Sequence, residues 1–339
     1  MKIVVRVNNW IGDVIMNIPA LEALRQEYPD AEIVAIARPW VTEILQFRAD
    51  LVNRCIGFDD KGEMRGISGI LAISRQLRKE KFDLGVVFTK HLKGALMLAL
   101  AGIPKRIGLK TPETKLFLNG GISFAALPKR GRHQSLNYMD VVRSGLNLDG
   151  PAQKPRLEPN KVRMQSSFAK HLGGFEGPYL LVHAGAAYGT AKRWSAEGYA
   201  SVIARYLATH GGTAALLGVK SEEEVNARIE AEVDDARLVN LCGKTKLYES
   251  LDLISGADAF LSNDSGLMHA AAGFGVPQVA IFGPTDARAT FPNSDKAEVV
   301  RHEVECSPCF KRHCPIGHEC MKGVTSQAVW QALEARLSH

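Results

Sequence analysis

Four segments of this 339-residue chain gather side chains able to do chemistry. The first is Asn8-Asn9-Trp10-Ile11-Gly12-Asp13-Val14, which follows an apolar run and opens a helical pattern. Asp13 reads as a helix N-cap or as a carboxylate that takes a proton from a substrate hydroxyl. A helix N-terminus stabilises the anion and weakens the base, so the second reading requires a partly desolvated carboxylate. A single glycine makes no G-x-G-x-x-G fingerprint, which argues against a nicotinamide site. The second segment runs from Val182 to Trp194. Its small residues let backbone amides approach a ligand, and Lys192 and Arg193 add the positive charge a diphosphate requires. A surface loop with solvated cations is the plainer reading.

The third segment, Ser262-Asn263-Asp264-Ser265-Gly266-Leu267-Met268-His269, again precedes a helical pattern. The N–H groups of Ser265 and Gly266 at that helix start suit a phosphate. Asp264 reads equally as an N-cap and His269 as a satisfied core histidine. Phe282-Gly283-Pro284-Thr285-Asp286 adds a further small-residue turn. The fourth segment holds four of the six cysteines, Cys306, Cys309, Cys314 and Cys320, within fifteen residues. A structural zinc, free thiols and two disulfides are its three readings. Cys55 and Cys242 read as buried singletons.

The elements that must position these segments alternate in type. Strand patterns over 2–7, 32–37 and 82–88 interleave with helical patterns over 14–27 and 69–79. In the second half, strands over 179–183, 213–217, 237–241, 259–261 and 278–282 interleave with helices over 196–209, 222–232, 247–256 and 266–273. A last amphipathic helix covers 326–337. This alternation predicts an α/β protein of two doubly wound Rossmann-like domains, with ligands beyond the carboxyl ends of the strands in a cleft the domains face across. Prolines 151, 155 and 159 and the glycines of 173–178 place the boundary within 150–178. The expected division is a domain over 1–160, a linker over 161–178, a domain over 179–325 with a Cys-rich loop at 302–322, and a terminal helix at 326–339.

Hydrophobic residues at 46% and charged residues at 23% exclude a disordered chain, a collagen-like repeat and a small disulfide scaffold. The net charge of +6 suits anionic ligands and is too small and dispersed for nucleic acid. The apolar stretch 94–103 is about half of the ~20 residues a bilayer crossing needs. The first residues carry no signal-peptide pattern, so the expected location is the cytoplasm.

Taken together, Trp10-Ile11-Gly12-Asp13-Val14, Ala191-Lys192-Arg193-Trp194, Asn263-Asp264-Ser265-Gly266-Leu267-Met268-His269 and Phe282-Gly283-Pro284-Thr285 resemble the lipopolysaccharide heptosyltransferases, glycosyltransferase family 9 enzymes of GT-B fold. The run from Cys306 to Pro315 resembles an insertion of the heptosyltransferase II branch. The resemblance implies an inverting transfer of L-glycero-D-manno-heptose from ADP-heptose, bound by the second domain, onto inner-core lipopolysaccharide, bound by the first. In the II branch the acceptor is heptosyl-Kdo2-lipid A. It implies Asp13 as general base and Lys192 on the donor phosphate or sugar. Asp264 falls on heptose hydroxyls, Ser265, Gly266 and His269 on the diphosphate, and Glu222 on the ribose. Some relatives have two threonines shortly before the lysine; here stand Ala187 and Tyr188, with Thr190 as the substitute hydroxyl.

No D-x-D pair is present to hold a catalytic metal, so no catalytic cofactor is expected. A phosphorylated, carboxylated acceptor calls for cations, with Lys90, His91, Lys93, Lys105, Arg106, Arg132 and His133 as candidates, each also readable as an ordinary surface charge. A lipid-linked acceptor implies peripheral association with the cytoplasmic face of the inner membrane. The rival readings are heptosyltransferase I or III, a nucleotide-sugar 2-epimerase of the same architecture, and a zinc-bearing basic module with Lys311, Arg312 and His313 on an acidic polymer.

Overall fold

The computed structural model describes residues 1–59, 62, 64–128 and 131–338; His339, at the end of the expected terminal helix segment, lies outside the described residues. The chain divides into two compact units, Met1–Pro155 and Arg156–His339. Short runs such as Ile3-Val4-Val5 are fully buried, as strands are in a parallel sheet covered on both faces.

The first unit runs β1 (Lys2–Arg6), α1 (Ile11–Glu27), β2 (Glu32–Ala37), α2 (Val41–Leu45), β3 (Arg54–Gly57), α3 (Gly66–Glu80), β4 (Leu84–Val87), α4 (Leu92–Leu100), β5 (Lys105–Lys110), β6 (Gly120–Ser123) and α5 (Ser135–Leu146). Its six strands are parallel in the order β3-β2-β1-β4-β5-β6. The second unit runs α6 (Lys161–Leu172), β7 (Tyr179–His183), α7 (Ala196–His210), β8 (Thr213–Leu216), α8 (Glu223–Val233), β9 (Leu238–Asn240) and α9 (Leu247–Ser255). It continues with β10 (Ala259–Asn263), α10 (Gly266–Phe274), β11 (Gln278–Phe282), α11 (Ala287–Thr290), β12 (Ala297–Arg301), α12 (Glu319–Lys322) and α13 (Ser326–Leu337). Its sheet is also parallel, in the order β12-β11-β10-β7-β8-β9.

Both orders are the doubly wound one, with the winding direction reversing between β1 and β4 and between β7 and β10. Connections leave neighbouring strands toward opposite faces at such a point, which opens a crevice beyond the strands' carboxyl ends. Residues 8–13 follow β1 and residues 90–93 follow β4. In the second unit residues 184–194 follow β7 and residues 264–269 follow β10. These four stretches therefore stand at switch points.

The structure departs from the sequence reading in several places. The 161–178 stretch is not a plain linker, because α6 occupies 161–172. Asn160 caps it by accepting from the Arg163 amide, and Arg163–Asp252 (2.8 Å) and Lys170–Glu249 (2.6 Å) ion pairs bind it to α9. The units part after Pro155, within the proline-rich run. Strands β3, β5, β6 and β12 had no readable pattern: β3 and β12 are edge strands that carry charges, β5 carries Lys105, Arg106 and Lys110 although both its neighbours are present, and β6 begins with two glycines. Helix α1 starts at Ile11 with Trp10 as its cap, so Asp13 lies inside the first turn. Ser265 caps α10, its hydroxyl accepting from the Met268 amide, so Asp264 stands one residue before the cap.

Candidate active site

In the first unit the loop after β1 is fastened from below. Arg6, 4% exposed, donates to the carbonyls of Val7 (2.6 Å) and Ile36 (3.1 Å) and to Asn9 Oδ1 (3.0 Å). Buried Asn17 accepts from the Asn8 amide at 3.1 Å. The loop delivers Asp13 to α5. There Gln134 Nε2 (2.6 Å) and the Tyr138 hydroxyl (2.9 Å) both donate to Oδ1, and Gln134 also donates to the Tyr138 oxygen at 2.6 Å. Among the described residues Oδ2 accepts no hydrogen bond. Burial raises the Asp13 pKa above the ordinary aspartate range, against the opposing pull of Tyr138, Gln134 and the Lys90 charge. The result is a partly buried carboxylate with enhanced basicity and one available oxygen, the property a general base needs.

In the second unit the loop after β7 is clipped at both ends by Asn263, fully buried at the end of β10. Its Nδ2 donates to the Ala184 carbonyl at 2.7 Å, and its Oδ1 accepts from the Trp194 amide at 3.0 Å. A 3₁₀ turn, Thr190–Lys192, closes the loop and aims Lys192 inward. Its Nζ lies 2.5 Å from Asp264 Oδ2, which also accepts from the Thr285 hydroxyl at 2.6 Å. Lys192 and Asp264 side chains are only 13% and 7% exposed, so this is a largely desolvated pair beside the free N–H groups of the α10 start. His269 is buried in α10. A cation, a helix N-terminus and a fixed carboxylate suit a diphosphate with polyhydroxylated sugar attached.

The sequence profile of glycosyltransferase family 9 (heptosyltransferase) matches residues 70–319. A lipopolysaccharide heptosyltransferase 2 of Salmonella typhimurium is 31% identical, with 100% of this chain and 99% of the relative covered. The chain belongs to glycosyltransferase family 9. It is thus a glycosyltransferase. A lipopolysaccharide heptosyltransferase 1 of Pseudomonas aeruginosa is 30% identical over 93% of this chain and 87% of its own. The structure of ADP-heptose lps heptosyltransferase II from E. coli superposes with a TM-score of 0.84 at 28% identity, covering 100% of this chain and 99% of that one. The expected GT-B fold, two doubly wound units, agrees with this likeness.

The other residues singled out within this family 9 chain have partners or exposure of their own. Glu222 is 4% exposed and accepts from the Val219 amide (3.0 Å), with His183 Nε2 at 3.4 Å. Burial opposes its charge, but His183, the Val219 amide and Arg193 together outweigh it and lower its pKa. Its carboxylate fills the space that a Cβ at Gly185 would need, so a side chain there would displace it. Thr190 Oγ1 is engaged with His313 Nδ1 at 3.0 Å. Of the acceptor-side cations, Lys90 and Lys93 are exposed at the start of α4. Arg106 is turned onto the backbone carbonyls of Ile103, Pro104 and Phe117. Arg132 pairs with Asp140 at 2.5 Å, and His133 is buried against Ser135. All three are engaged within their own unit, Arg106 in β5 and Arg132 and His133 just before α5.

Among the described residues no three His, Cys, Asp or Glu side chains form a group able to hold a metal ion. Cys306, Cys309, Cys314 and Cys320 are free thiols ranging from exposed Cys306 to buried Cys320, and burial together with the charges of the other three raises the Cys320 pKa. Sequence reasoning also missed Gln134 and Tyr138, more than 120 residues from the carboxylate they hold. Asn263 and Thr285 lay within quoted motifs, but nothing in the motifs told which atoms they would bind.

Proposed function

We propose that this chain transfers a heptose, with inversion, from ADP-heptose to the lipid-linked inner core of lipopolysaccharide, adding the second heptose to heptosyl-Kdo2-lipid A. The observation that carries the chemistry is the Asp13 carboxylate, made more basic by burial and offering Oδ2. The acceptor oxygen forms a bond to the anomeric carbon of the donor while its proton passes to Asp13. The bond from that carbon to the diphosphate oxygen breaks, and the electron pair leaves with ADP. Lys192 and the N–H groups at the start of α10 stabilise that departing charge. Asp264, fixed by Thr285, holds Lys192 and accepts from heptose hydroxyls. One displacement inverts the centre and requires neither a covalent intermediate nor a catalytic cofactor. The names of the Salmonella relative and of the E. coli structure support the donor and the second-heptose step.

Lys90 and Lys93 supply the cations on the acceptor side, and the exposed Trp10, 60% accessible, stands beside the base. Among the described residues no helix is long and apolar enough to cross a membrane. The +6 charge supports a salt-sensitive peripheral attachment to an anionic leaflet on its cytoplasmic face. The deciding assay supplies ADP-heptose with Kdo2-lipid A or with its mono-heptosylated form, and reads ADP release and product mass. Transfer only to the mono-heptosylated form is expected. Transfer to bare Kdo2-lipid A would move the chain to the first heptose step, and no transfer to either would overturn the acceptor.

A further inference from the structure

The Cys-rich segment 304–318 contains no helix or strand. Its conformation is set by what it binds, and it binds the two arms that converge on Asp264. Toward the Lys192 loop, the Arg312 carbonyl accepts from the Ala191 amide at 3.0 Å, and His318 Nε2 donates to the Ala191 carbonyl at 2.8 Å. Ala191, the residue before Lys192, is thus gripped through both its amide and its carbonyl. The Tyr188 hydroxyl donates to the Phe310 carbonyl at 2.6 Å, and the Tyr188 ring has Lys192 Nζ at 4.9 Å and the Arg312 guanidinium at 5.3 Å. The approach is close enough that a Cβ on Gly189 would strike the Arg312 carbonyl. Toward the other arm, the Phe310 amide donates to the Pro284 carbonyl (2.8 Å) and the Ser307 hydroxyl to the Gly283 carbonyl (2.6 Å). Gly283 and Pro284 immediately precede Thr285, which shares Asp264 Oδ2 with Lys192.

Phe310 and His318 both adopt left-handed backbone conformations, with φ of 55° and 63°. Such conformations are unfavourable for residues with a Cβ and persist where the surroundings fix them. Here both residues supply contacts to the Lys192 loop. We infer that segment 304–318 is a staple whose work is to position Lys192, with His318 as its principal positioning residue. This rests on the reading of Lys192 as the group that stabilises the departing diphosphate. It also gives the Cys-rich insertion a role that requires no metal ligand set.

The test compares His318→Leu with His318→Gln, each in the wild-type and Lys192→Ala backgrounds. Both replacements bear the same left-handed backbone, and only glutamine keeps a donor for the Ala191 carbonyl. ADP release is followed under saturating substrates, donor KM is measured alongside, and the thermal transition of each full-length variant verifies folding. The expectation for His318→Leu is a kcat lowered about tenfold, since small misplacement of a transition-state contact is costly. Donor KM should change by less than about twofold, the signature of a contact made mainly in the transition state. Glutamine should restore most of the loss. In the Lys192→Ala background, His318→Leu should lower the residual rate no further. Equal losses in both backgrounds, or no recovery with glutamine, would overturn the staple as a positioning device. So would a His318→Leu enzyme of unchanged kcat beside an impaired Lys192→Ala, which leaves the role of Lys192 intact. A Lys192→Ala enzyme of full activity would instead overturn the reading of Lys192 and the staple with it.

Discussion

Each unit places a carboxylate beside its switch point, after β1 in one and after β10 in the other, and the two keep opposite company. Asp13 is held by an amide and a phenol, both neutral, so burial prevails and its pKa rises. Asp264 has a lysine ammonium at 2.5 Å and a hydroxyl at 2.6 Å on the same oxygen. Doubly wound topology explains why both stand beyond a switch point. It does not explain the difference. That comes from elements distant in sequence: α5 for Asp13, the 190–192 turn and the 283–285 turn for Asp264. One carboxylate is thereby made fit to accept a proton, and the other to hold a cation in place.

Replacing Asp13 should test this contrast most severely. Asp13→Asn retains an oxygen for Gln134 and Tyr138 but cannot take a proton, so turnover should fall about 10²–10⁴-fold with donor affinity little changed. Its stability should move the other way. Because the folded-state pKa lies above the unfolded value, the folded chain binds more protons between the two, and stability declines as pH rises through that window. Asparagine does not titrate. Thermal melting near neutral pH should therefore find Asp13→Asn at least as stable as the wild type. Retained turnover would remove Asp13 from the mechanism.

Much of this arrangement was legible from the chain. Alternating apolar runs and helical patterns mark most central elements, because parallel strands buried on both faces must be continuous hydrophobic runs. Asp13, Lys192 and Asp264 are visible for a related reason: each follows a strand closely, so local sequence places it. Gln134 and Tyr138 were not visible, since their partner is 121 and 125 residues away and α5 carries no motif of its own. The edge strands β3 and β12 were hidden because one side lacks a neighbour and tolerates charge. Cysteine spacing reports metal-binding potential and says nothing about which backbone groups the segment between will engage. Arg106 shows the limit for surface charge, since an arginine in a loop-like stretch can satisfy carbonyls of its own unit.

On the other side of the comparison, Thr285→Val removes a single hydroxyl at nearly constant shape. Asp264 then loses one of the two donors on Oδ2 in a site only 7% exposed. A hydrogen bond to a charged group contributes about 1.5–3 kcal/mol, so a loss of unfolding free energy in that range is expected from denaturant titration. Turnover should fall less than with Asp13→Asn because Lys192 remains paired. The dependence of activity on low pH should stay where it was. A displaced acid limb would count against Asp13 as the base.

The finest test is the acid limb itself. The limb of kcat/KM reports ionisation in the free enzyme, and Asp13 must be ionised to act. Its inflection should therefore lie above the ordinary aspartate value. Tyr138→Phe removes a donor that favours the anion, so the limb should move to higher pH, by up to about one unit for a bond of roughly 1.4 kcal/mol. Lys90→Gln should move it the same way, because the exposed lysine also favours the anion. The two shifts differ in their response to salt. A charge at the surface is screened as ionic strength rises, whereas a hydrogen bond from a buried phenol is not. At about 1 M salt the wild type and Lys90→Gln should converge while Tyr138→Phe stays displaced. Convergence of all three would mean that the pull opposing burial at Asp13 comes from long-range charge and not from the Tyr138 hydrogen bond.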